Sequence, residues 1–373
     1  MSLEPIYVTR PYLPPLSEVF PLLEDIWKTR VLTNSGPFHE LLEETLCKQL
    51  DISNISLFSN GTLALLVALK SLRLSGEVIT TPYTFIATAN SICWNGLTPV
   101  FADIDPVSYN LDPCKVEQRI TPNTCAVLPV HCYGNPCDVD KFKSLGENYN
   151  LPIIYDASHA FGVNIGGTSL LSYGDFATLS FHATKVFNTF EGGAVVSAGL
   201  STKKSLDRLK NFGFVDELTV ASNGINAKMS EFSAAVGLCQ IHHIESCLEK
   251  RRRIARIYSS QFGQLSQVRV PIYSTNVSHN IAYYPIRISS HGASSKTRDG
   301  LVEWMRENYL VYARRYFFPL IYQFPYFSSF CDDPTSLPNA ISAASEVVCL
   351  PIYAEMKEDE ISRVVDSVIT YFK

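Results

Sequence analysis

The 373-residue sequence has no apolar run of membrane-spanning length and no excess of positive charge. Lysine and arginine together number 31, against 36 aspartate and glutamate residues, so the net charge is −5. We therefore expect no membrane anchor and no general attraction to nucleic acid. Residues 250–253 (Lys-Arg-Arg-Arg) form a short basic cluster in a helical pattern, which favours a solvated helix face. Residues 1–5 lack the basic segment and apolar stretch of a signal peptide.

Cysteine is present, but not in a pattern that predicts metal binding or a disulfide framework. Several of the ten cysteines lie in apolar runs, where a free thiol packs as a small hydrophobe: Cys93, Cys125, Cys239 and Cys349. Cys132 and Cys137 flank Tyr-Gly-Asn-Pro without a second pair or a histidine at zinc spacing. We expect a reduced, cytoplasmic protein without a metal site.

Short apolar runs alternate with helical patterns along most of the chain. The runs predict strands at 55–58, 77–80, 98–102, 125–130, 152–156, 176–181 and 193–197, and helices at 61–73, 84–94 and 138–149. This alternation predicts an α/β fold with a mostly parallel sheet. A long helical pattern over 229–262 is expected to join a large domain, residues 1–248, to a small α+β domain, residues 249–373.

One lysine lies where a covalent cofactor could be held. Lys185 follows the apolar run 176–181 and precedes the pair Gly192-Gly193. A lysine in a fixed, partly desolvated position can form a Schiff base with an aldehyde cofactor, since only the neutral amine is nucleophilic. Alone this proves little, because most lysines are solvated charges.

A carboxylate ends the strand-like run 151–156. Ligands bind at the carboxyl ends of strands in open α/β sheets, so Asp156 could pair with the ring nitrogen of pyridoxal phosphate (PLP). A helix cap or turn is its alternative role. His159 could contact the phenolic oxygen of the same cofactor, or be a buried structural histidine.

A third feature is suited to a phosphate. The strand 55–58 is followed by Ser-Asn-Gly-Thr, which opens a helical run. The N–H groups and dipole of such a helix start form an anion site, which Gly61 and Thr62 would provide. Ser180 could add a hydroxyl. Many similar turns bind nothing.

These features, in this order, resemble the DegT/DnrJ/EryC1/StrS family of PLP-dependent sugar aminotransferases. The resemblance runs nearly end to end, through residues 32–38, 59–65, 81–85, 99–105, 130–136, 156–160, 180–185, 224–231, 337–340 and 349–353. It implies the aspartate aminotransferase-like fold of type I, with a large domain around a seven-stranded, mostly parallel sheet and a smaller C-terminal domain.

The resemblance also implies roles for individual residues. Lys185 would bind the cofactor and move a proton between substrate and cofactor, and Asp156 would pair with the pyridine nitrogen. His159 would lie near the phenolic oxygen, and Gly61, Thr62 and Ser180 would hold the phosphate. Phe85 would stack on the ring, with core packing as its alternative. Asn226 would reach the phosphate of the neighbouring subunit's cofactor in a homodimer, and Lys228 stands where arginine is usual in the family.

The implied reaction moves the amino group of L-glutamate onto a ketosugar carried by a nucleotide diphosphate. The motif at residues 180–185, Ser-Phe-His-Ala-Thr-Lys, most resembles that of enzymes that aminate carbon four of deoxysugars. It therefore favours dTDP-4-keto-6-deoxyglucose as acceptor; 3-keto and UDP-linked sugars are the alternatives. Residues 314–320 would lead to the sugar pocket, where Arg314 and Arg315 suit a diphosphate, although both could be solvated surface charges. A sugar dehydratase and a non-enzymatic sugar-binding regulator are further alternatives, which Lys185 and Asp156 together disfavour.

Overall fold

The computed structural model describes residues 4–289 and 296–373; residues 1–3, part of the N-terminal segment in which no signal peptide is expected, lie outside the described part. The helices are α1 (Leu16–Thr29), α2 (Pro37–Leu50), α3 (Gly61–Ser71), α4 (Ile86–Trp94), α5 (Pro113–Glu117), α6 (Val139–Tyr149), α7 (Leu200–Leu209), α8 (Glu231–Phe262), α9 (Arg298–Tyr309), α10 (Pro338–Glu346) and α11 (Glu358–Phe372). The strands are β1 (Ile6–Tyr7), β2 (Ile55–Phe58), β3 (Glu77–Thr80), β4 (Thr98–Phe101), β5 (Thr124–Leu128), β6 (Ile154–Asp156), β7 (Asn164–Ile165), β8 (Thr168–Ser169), β9 (Phe176–Ser180), β10 (Gly193–Ser197), β11 (Val268–Arg269), β12 (Val277–Ser278), β13 (Tyr284–Ile288), β14 (Val311–Tyr312) and β15 (Val347–Leu350).

Seven of these strands form the central sheet. Strands β2, β10, β9 and β6 pair in that order, as do β4, β3 and β5. Two parallel bridges, Val127 to Ile153 and Val130 to Asp156, join the two groups between β5 and β6. Only β10 runs antiparallel to its neighbours β2 and β9. The predicted seven-stranded, mostly parallel sheet is therefore confirmed.

The sheet brings its functional ends together at one edge. β6 and β9 run parallel and end at Asp156 and Ser180, and β2 ends just before the turn that opens α3. Gly193 pairs with both Phe58 and Ser180 across β10. A Cβ on Gly193 would lie 2.5 Å from the carbonyl carbon of Asn60, so only glycine lets the turn approach β10 this closely.

Helix α8 passes through two apolar cores. Its first half, up to Leu248, packs into the core around the central sheet, whereas Ile254 to Phe262 pack into a second core. That second core contains β13, β15, α9 and α11. Ile6 also belongs to it, because β1 pairs with β14. The division of the chain at residue 248 stays a prediction.

Within residues 4–289 and 296–373, no helix is both long and apolar enough to cross a membrane. The same ranges contain no group of three or more histidine, cysteine or acidic side chains arranged to hold a metal ion. All ten cysteines are free thiols. The cytoplasmic location stays a prediction.

Candidate active site

Lys185 lies five residues beyond the end of β9 and lines a cavity of about 290 Å³. The side chain is half-buried. Burial lowers the pKa of its amine from 10.5 to about 8, and the nearby Asp156 carboxylate opposes that shift. A substantial fraction of the amine is therefore neutral, and nucleophilic, at slightly alkaline pH.

Asp156 reaches the same cavity from the end of β6. One carboxylate oxygen, Oδ2, accepts a hydrogen bond of 2.8 Å from the Thr88 hydroxyl, and Oδ1 accepts one of 3.1 Å from the backbone N–H of Ser158. Asp156 is 5% exposed. Asp156 is therefore a fixed, buried hydrogen-bond acceptor. It makes the turn contact that was its alternative role, with Ser158, and also lines the cavity.

His159 is buried beside the cavity. Its Nδ1 accepts a hydrogen bond of 3.2 Å from the backbone N–H of Tyr133. Burial, assisted by the charge of Lys185, holds the pKa of the imidazole well below its ordinary value. The ring is neutral and must carry its proton on Nε2, so His159 can donate a hydrogen bond to an oxygen acceptor.

The turn between β2 and α3 also lines the cavity. The Asn60 side chain caps the helix by accepting from the N–H of Leu63 at 2.9 Å. Gly61 and Thr62 form the first turn and line the cavity. A Cβ on Gly61 would lie 2.8 Å from the Cβ of Ser180, so the turn can sit against β9 only because residue 61 is glycine.

Phe85 is 60% exposed and lines the cavity from the residue before α4. The alternative of ordinary core packing does not fit this exposure. An exposed aromatic face at the wall of the cavity is available to stack on a planar ligand.

Asn226 is the one predicted site residue that does not line this cavity. It is exposed, and its side-chain oxygen accepts a hydrogen bond of 2.8 Å from Lys228. Lys228 also donates to the Asn211 side chain at 2.9 Å. The structure of the single chain therefore brings together seven of the eight predicted residues and leaves Asn226 outside.

A larger cavity, of about 830 Å³, adjoins the first and shares Thr84, Phe85, Thr184, Arg314, Tyr316 and Phe317 with it. Its remaining wall includes Tyr7, Tyr312, Arg306, Arg315 and Phe318. Sequence reasoning placed Arg314 and Arg315 here but missed Tyr7, Tyr312 and Arg306. It also missed Thr88, which donates to Asp156. Thr88 lies four residues after Thr84 in the predicted helix 84–94, and this spacing was the one available signal for it.

The cavity groups match the three functional ends of PLP. Lys185 would supply the amine for the aldehyde, Asp156 a buried carboxylate for the protonated ring nitrogen, and the helix start beside Ser180 a site for the phosphate. Gly61 and Ser180 lie close together at this helix start, where a phosphate would bind. The fold and the site thus fit a PLP-dependent enzyme of fold type I.

Comparison with known proteins identifies the family. The profile of the DegT/DnrJ/EryC1/StrS aminotransferase family matches residues 17–369, and the chain belongs to this family. The dTDP-4-amino-4,6-dideoxy-D-glucose transaminase of Shigella dysenteriae is 46% identical over 368 residues, covering 98% of each chain. The protein of the same name from Escherichia coli is 46% identical over 366 residues, again with 98% of each chain covered.

Solved structures of similar proteins support the same fold and cofactor. DesI, crystallised in the presence of its TDP-sugar product, has a TM-score of 0.93 and 32% identity, covering 99% of this chain and 93% of DesI. NtdA from Bacillus subtilis, with bound cofactor PMP, has a TM-score of 0.88 and 27% identity, covering 96% of this chain and 82% of NtdA. The predicted family, fold class and cofactor are confirmed: the chain is a PLP-dependent aminotransferase.

Proposed function

We propose that this aminotransferase moves the amino group of L-glutamate onto dTDP-4-keto-6-deoxyglucose and forms dTDP-4-amino-4,6-dideoxyglucose. The observation that carries the proposal is the joining of two cavities: one holds Lys185 and Asp156, and the other is lined by arginines and aromatic rings. The 46% identity to two transaminases of that name over 98% of the chain supports the choice of sugar.

The roles of the side chains follow from their positions. Bound PLP supplies an electron sink for the carbanion that forms when the donor loses its α proton. Lys185, whose amine pKa is about 8, is suited to take that proton and to return it on the neighbouring carbon. Asp156, fixed by Thr88 and Ser158, would keep the ring nitrogen protonated. His159 would donate from Nε2 to the phenolic oxygen, and the start of α3 with Ser180 would hold the phosphate.

The larger cavity is suited to the acceptor. Arg314 is exposed, lines both cavities and packs over the Tyr316 ring at 5.4 Å. Its neighbours Arg315 and Arg306 already pair with acidic residues, Arg315 with Asp299 at 3.0 Å. Because a guanidinium binds phosphate oxygens in pairs, Arg314 is the residue we assign to the diphosphate.

We also propose that two copies of the chain complete each other's sites. Large apolar side chains are exposed on α1 and in the segment that carries Asn226: Leu16, Phe20, Trp27, Phe212, Phe214, Val215, Leu218 and Val220. Apolar surface of this kind favours association. Asn226 would then reach the partner's cofactor, as the family resemblance implies.

The donor half of the reaction is tested by absorbance spectra of the PLP-loaded protein before and after addition of L-glutamate. We expect the yellow band of the lysine-bound cofactor to convert to the pyridoxamine form, because Lys185 and Asp156 are both present. A protein that stays colourless with added PLP would contradict the aminotransferase mechanism.

The acceptor is tested by turnover of 3-keto and 4-keto sugars, each linked to dTDP and to UDP. We expect the highest kcat/KM for the dTDP-linked 4-keto sugar. Preference for a 3-keto or UDP-linked sugar would replace our choice. Arg314→Ala should raise the acceptor KM about tenfold or more while leaving the glutamate half-reaction unchanged; Arg253→Ala, on an exposed face of α8, is the control.

A further inference from the structure

Two buried tyrosine hydroxyls meet at one backbone carbonyl beside the active site. Tyr83 Oη donates to the carbonyl oxygen of Tyr316 at 2.8 Å, and Tyr133 Oη contacts the same oxygen. The two hydroxyls lie 2.6 Å apart. Tyr83 is 0% and Tyr133 1% exposed, so water cannot replace either hydroxyl at this carbonyl.

Both hydroxyls stay protonated at neutral and moderately alkaline pH. Burial raises the pKa of Tyr83 and of Tyr133 well above 10. Each is therefore a permanent donor rather than a titrating group. Neither has a role in the chemistry derived above, and their shared acceptor is their most direct link to the site.

Tyr133 connects this carbonyl to the cofactor side. Its backbone N–H holds Nδ1 of His159, and its ring stacks on Phe317 with an interplanar angle of 8° and a centroid distance of 6.0 Å. Phe317 lies nearly parallel to the His159 ring as well, at 4° and 6.1 Å. Tyr83 stands two residues before Phe85 and meets Phe317 edge-on at 5.6 Å.

The segment with the Tyr316 carbonyl forms the wall between the two cavities. Arg314, Tyr316 and Phe317 line both cavities. On one side the segment is anchored where Arg314 and Cys349 exchange backbone hydrogen bonds of 3.1 and 2.8 Å. On the other, the N–H of Ile321 donates to the Pro82 carbonyl at 3.1 Å. Between these anchors, the two hydroxyls hold the Tyr316 carbonyl.

We propose that Tyr83 and Tyr133 are positioning residues for the acceptor, because they fix the Tyr316 carbonyl. In this way they keep Arg314 and Tyr316 at a constant position relative to His159 and Phe85. This inference rests on the proposed function, because it assigns the shared wall to the acceptor sugar. Loss of both hydroxyls leaves a buried carbonyl without its donors and lets the wall move. The donor half-reaction, which depends on Lys185 and Asp156, should be affected little.

The test uses the PLP-loaded full chain with Tyr83→Phe, Tyr133→Phe and the double variant, each half-reaction being measured separately. We expect the acceptor KM to rise about threefold in each single variant and about tenfold in the double variant, with the rate of the glutamate half-reaction within about twofold of wild type. Tyr109→Phe is the matched control. Its ring touches Tyr83 and Tyr133, but its hydroxyl bonds to Arg287 instead.

Backbone amide exchange of the peptide covering residues 314–321 gives a readout independent of activity. We expect faster exchange in the double variant than in wild type or Tyr109→Phe. An unchanged acceptor KM, equal losses in both half-reactions, or unchanged exchange would each overturn the positioning role. A wild-type protein that aminates no nucleotide-linked ketosugar would overturn the proposed function instead, and the exchange experiment would still decide whether the two tyrosines hold the segment.

Discussion

The hydroxyl of Thr88, on helix α4, donates a 2.8 Å hydrogen bond to Oδ2 of Asp156 at the end of β6. Both residues are buried, so no water competes for this contact. The carboxylate that we assign to the cofactor ring is therefore held by a neighbouring helix as well as by its own turn. Support of this kind preserves the geometry of a reacting group and its charge.

We expect Asp156→Asn to lower kcat at least a hundredfold, because the amide keeps the shape but loses the charge that stabilises the protonated ring nitrogen. Thr88→Val keeps the volume and removes only the hydroxyl, so kcat should fall about tenfold. Steady-state kinetics with saturating glutamate and acceptor provide the measurement.

Ser91→Ala is the control for Thr88→Val. Ser91 is buried on the same helix, but its hydroxyl bonds to the backbone carbonyl of Thr88 at 2.8 Å and does not contact Asp156. Wild-type kcat in Thr88→Val, or an equal loss in Ser91→Ala, would mean that the Thr88 hydroxyl does not support the carboxylate.

The pKa of Lys185 predicts a pH dependence for cofactor capture. Only the neutral amine attacks the aldehyde, so the rate at which the apoprotein binds PLP covalently should rise with pH and level off above about 8, the pKa of the buried amine. Stopped-flow absorbance between pH 6 and 10 measures this profile. Asp156→Asn should move the midpoint lower, because the carboxylate raises the pKa of Lys185. A midpoint near the ordinary lysine value of 10.5 would contradict the burial argument.

The same shift affects the stability of the apoprotein. The pKa of the Lys185 amine is about 8 in the folded protein and 10.5 for an ordinary lysine, as in the unfolded chain. Between pH 8 and 10.5 the unfolded chain therefore binds more protons than the folded one. The contribution of Lys185 to the free energy of unfolding therefore rises with pH from about 8 to 10.5, and is least favourable below 8, where the buried amine is charged. Lys185→Met should remove this part of the slope in denaturant titrations, whereas the exposed Lys70→Met should keep it.

Much of the fold was predictable because its signals are local. Each strand of the central sheet is an apolar run bounded by turn residues, so all seven were placed correctly within a few residues. The two-residue strand β1 has no such signal, and its pairing with β14 joins residues about 300 positions apart. Helix α1 was missed as well, since Pro21 interrupts its pattern.

The site likewise combines residues with local sequence signals and residues placed only by long-range contacts. Asp156 ends a strand, and Gly61 and Lys185 each follow one within a few residues, so their convergence follows from sheet topology. The contact of Thr88 with Asp156 spans 68 residues and that of Tyr133 with Tyr316 spans 183, which no periodicity encodes. Such contacts depend on how helices and loops pack above the sheet edge.

Gly61 predicts a steric test of the phosphate cradle. In Gly61→Ala the new Cβ would lie 2.8 Å from the Cβ of Ser180, so the turn must move away from β9. We expect the dissociation constant for PLP to rise about tenfold, measured by equilibrium dialysis of the apoprotein. Gly199→Ala is the control, because its nearest neighbour would be Thr202 Oγ1 at 3.5 Å. Unchanged PLP affinity in Gly61→Ala would mean that the turn does not need this close approach.

Asn226 provides the sharpest test of subunit pairing, because it lies outside the cavity of its own subunit. We expect Lys185→Ala and Asn226→Ala each to be poorly active alone: the first lacks the essential amine, and the second lacks a phosphate contact. If Asn226 serves the partner's cofactor, a mixed dimer contains one site with both intact residues. Co-refolding equal amounts should then restore up to about a quarter of the wild-type activity per chain, since half of the random dimers are mixed and each has one intact site of two.

Lys185→Ala mixed with Asp156→Ala is the matched control. Both residues line the same cavity within one subunit, so every site in that mixture lacks one of them. Recovery only in the Asn226 mixture would establish shared sites, whereas no recovery there would place the action of Asn226 within its own subunit.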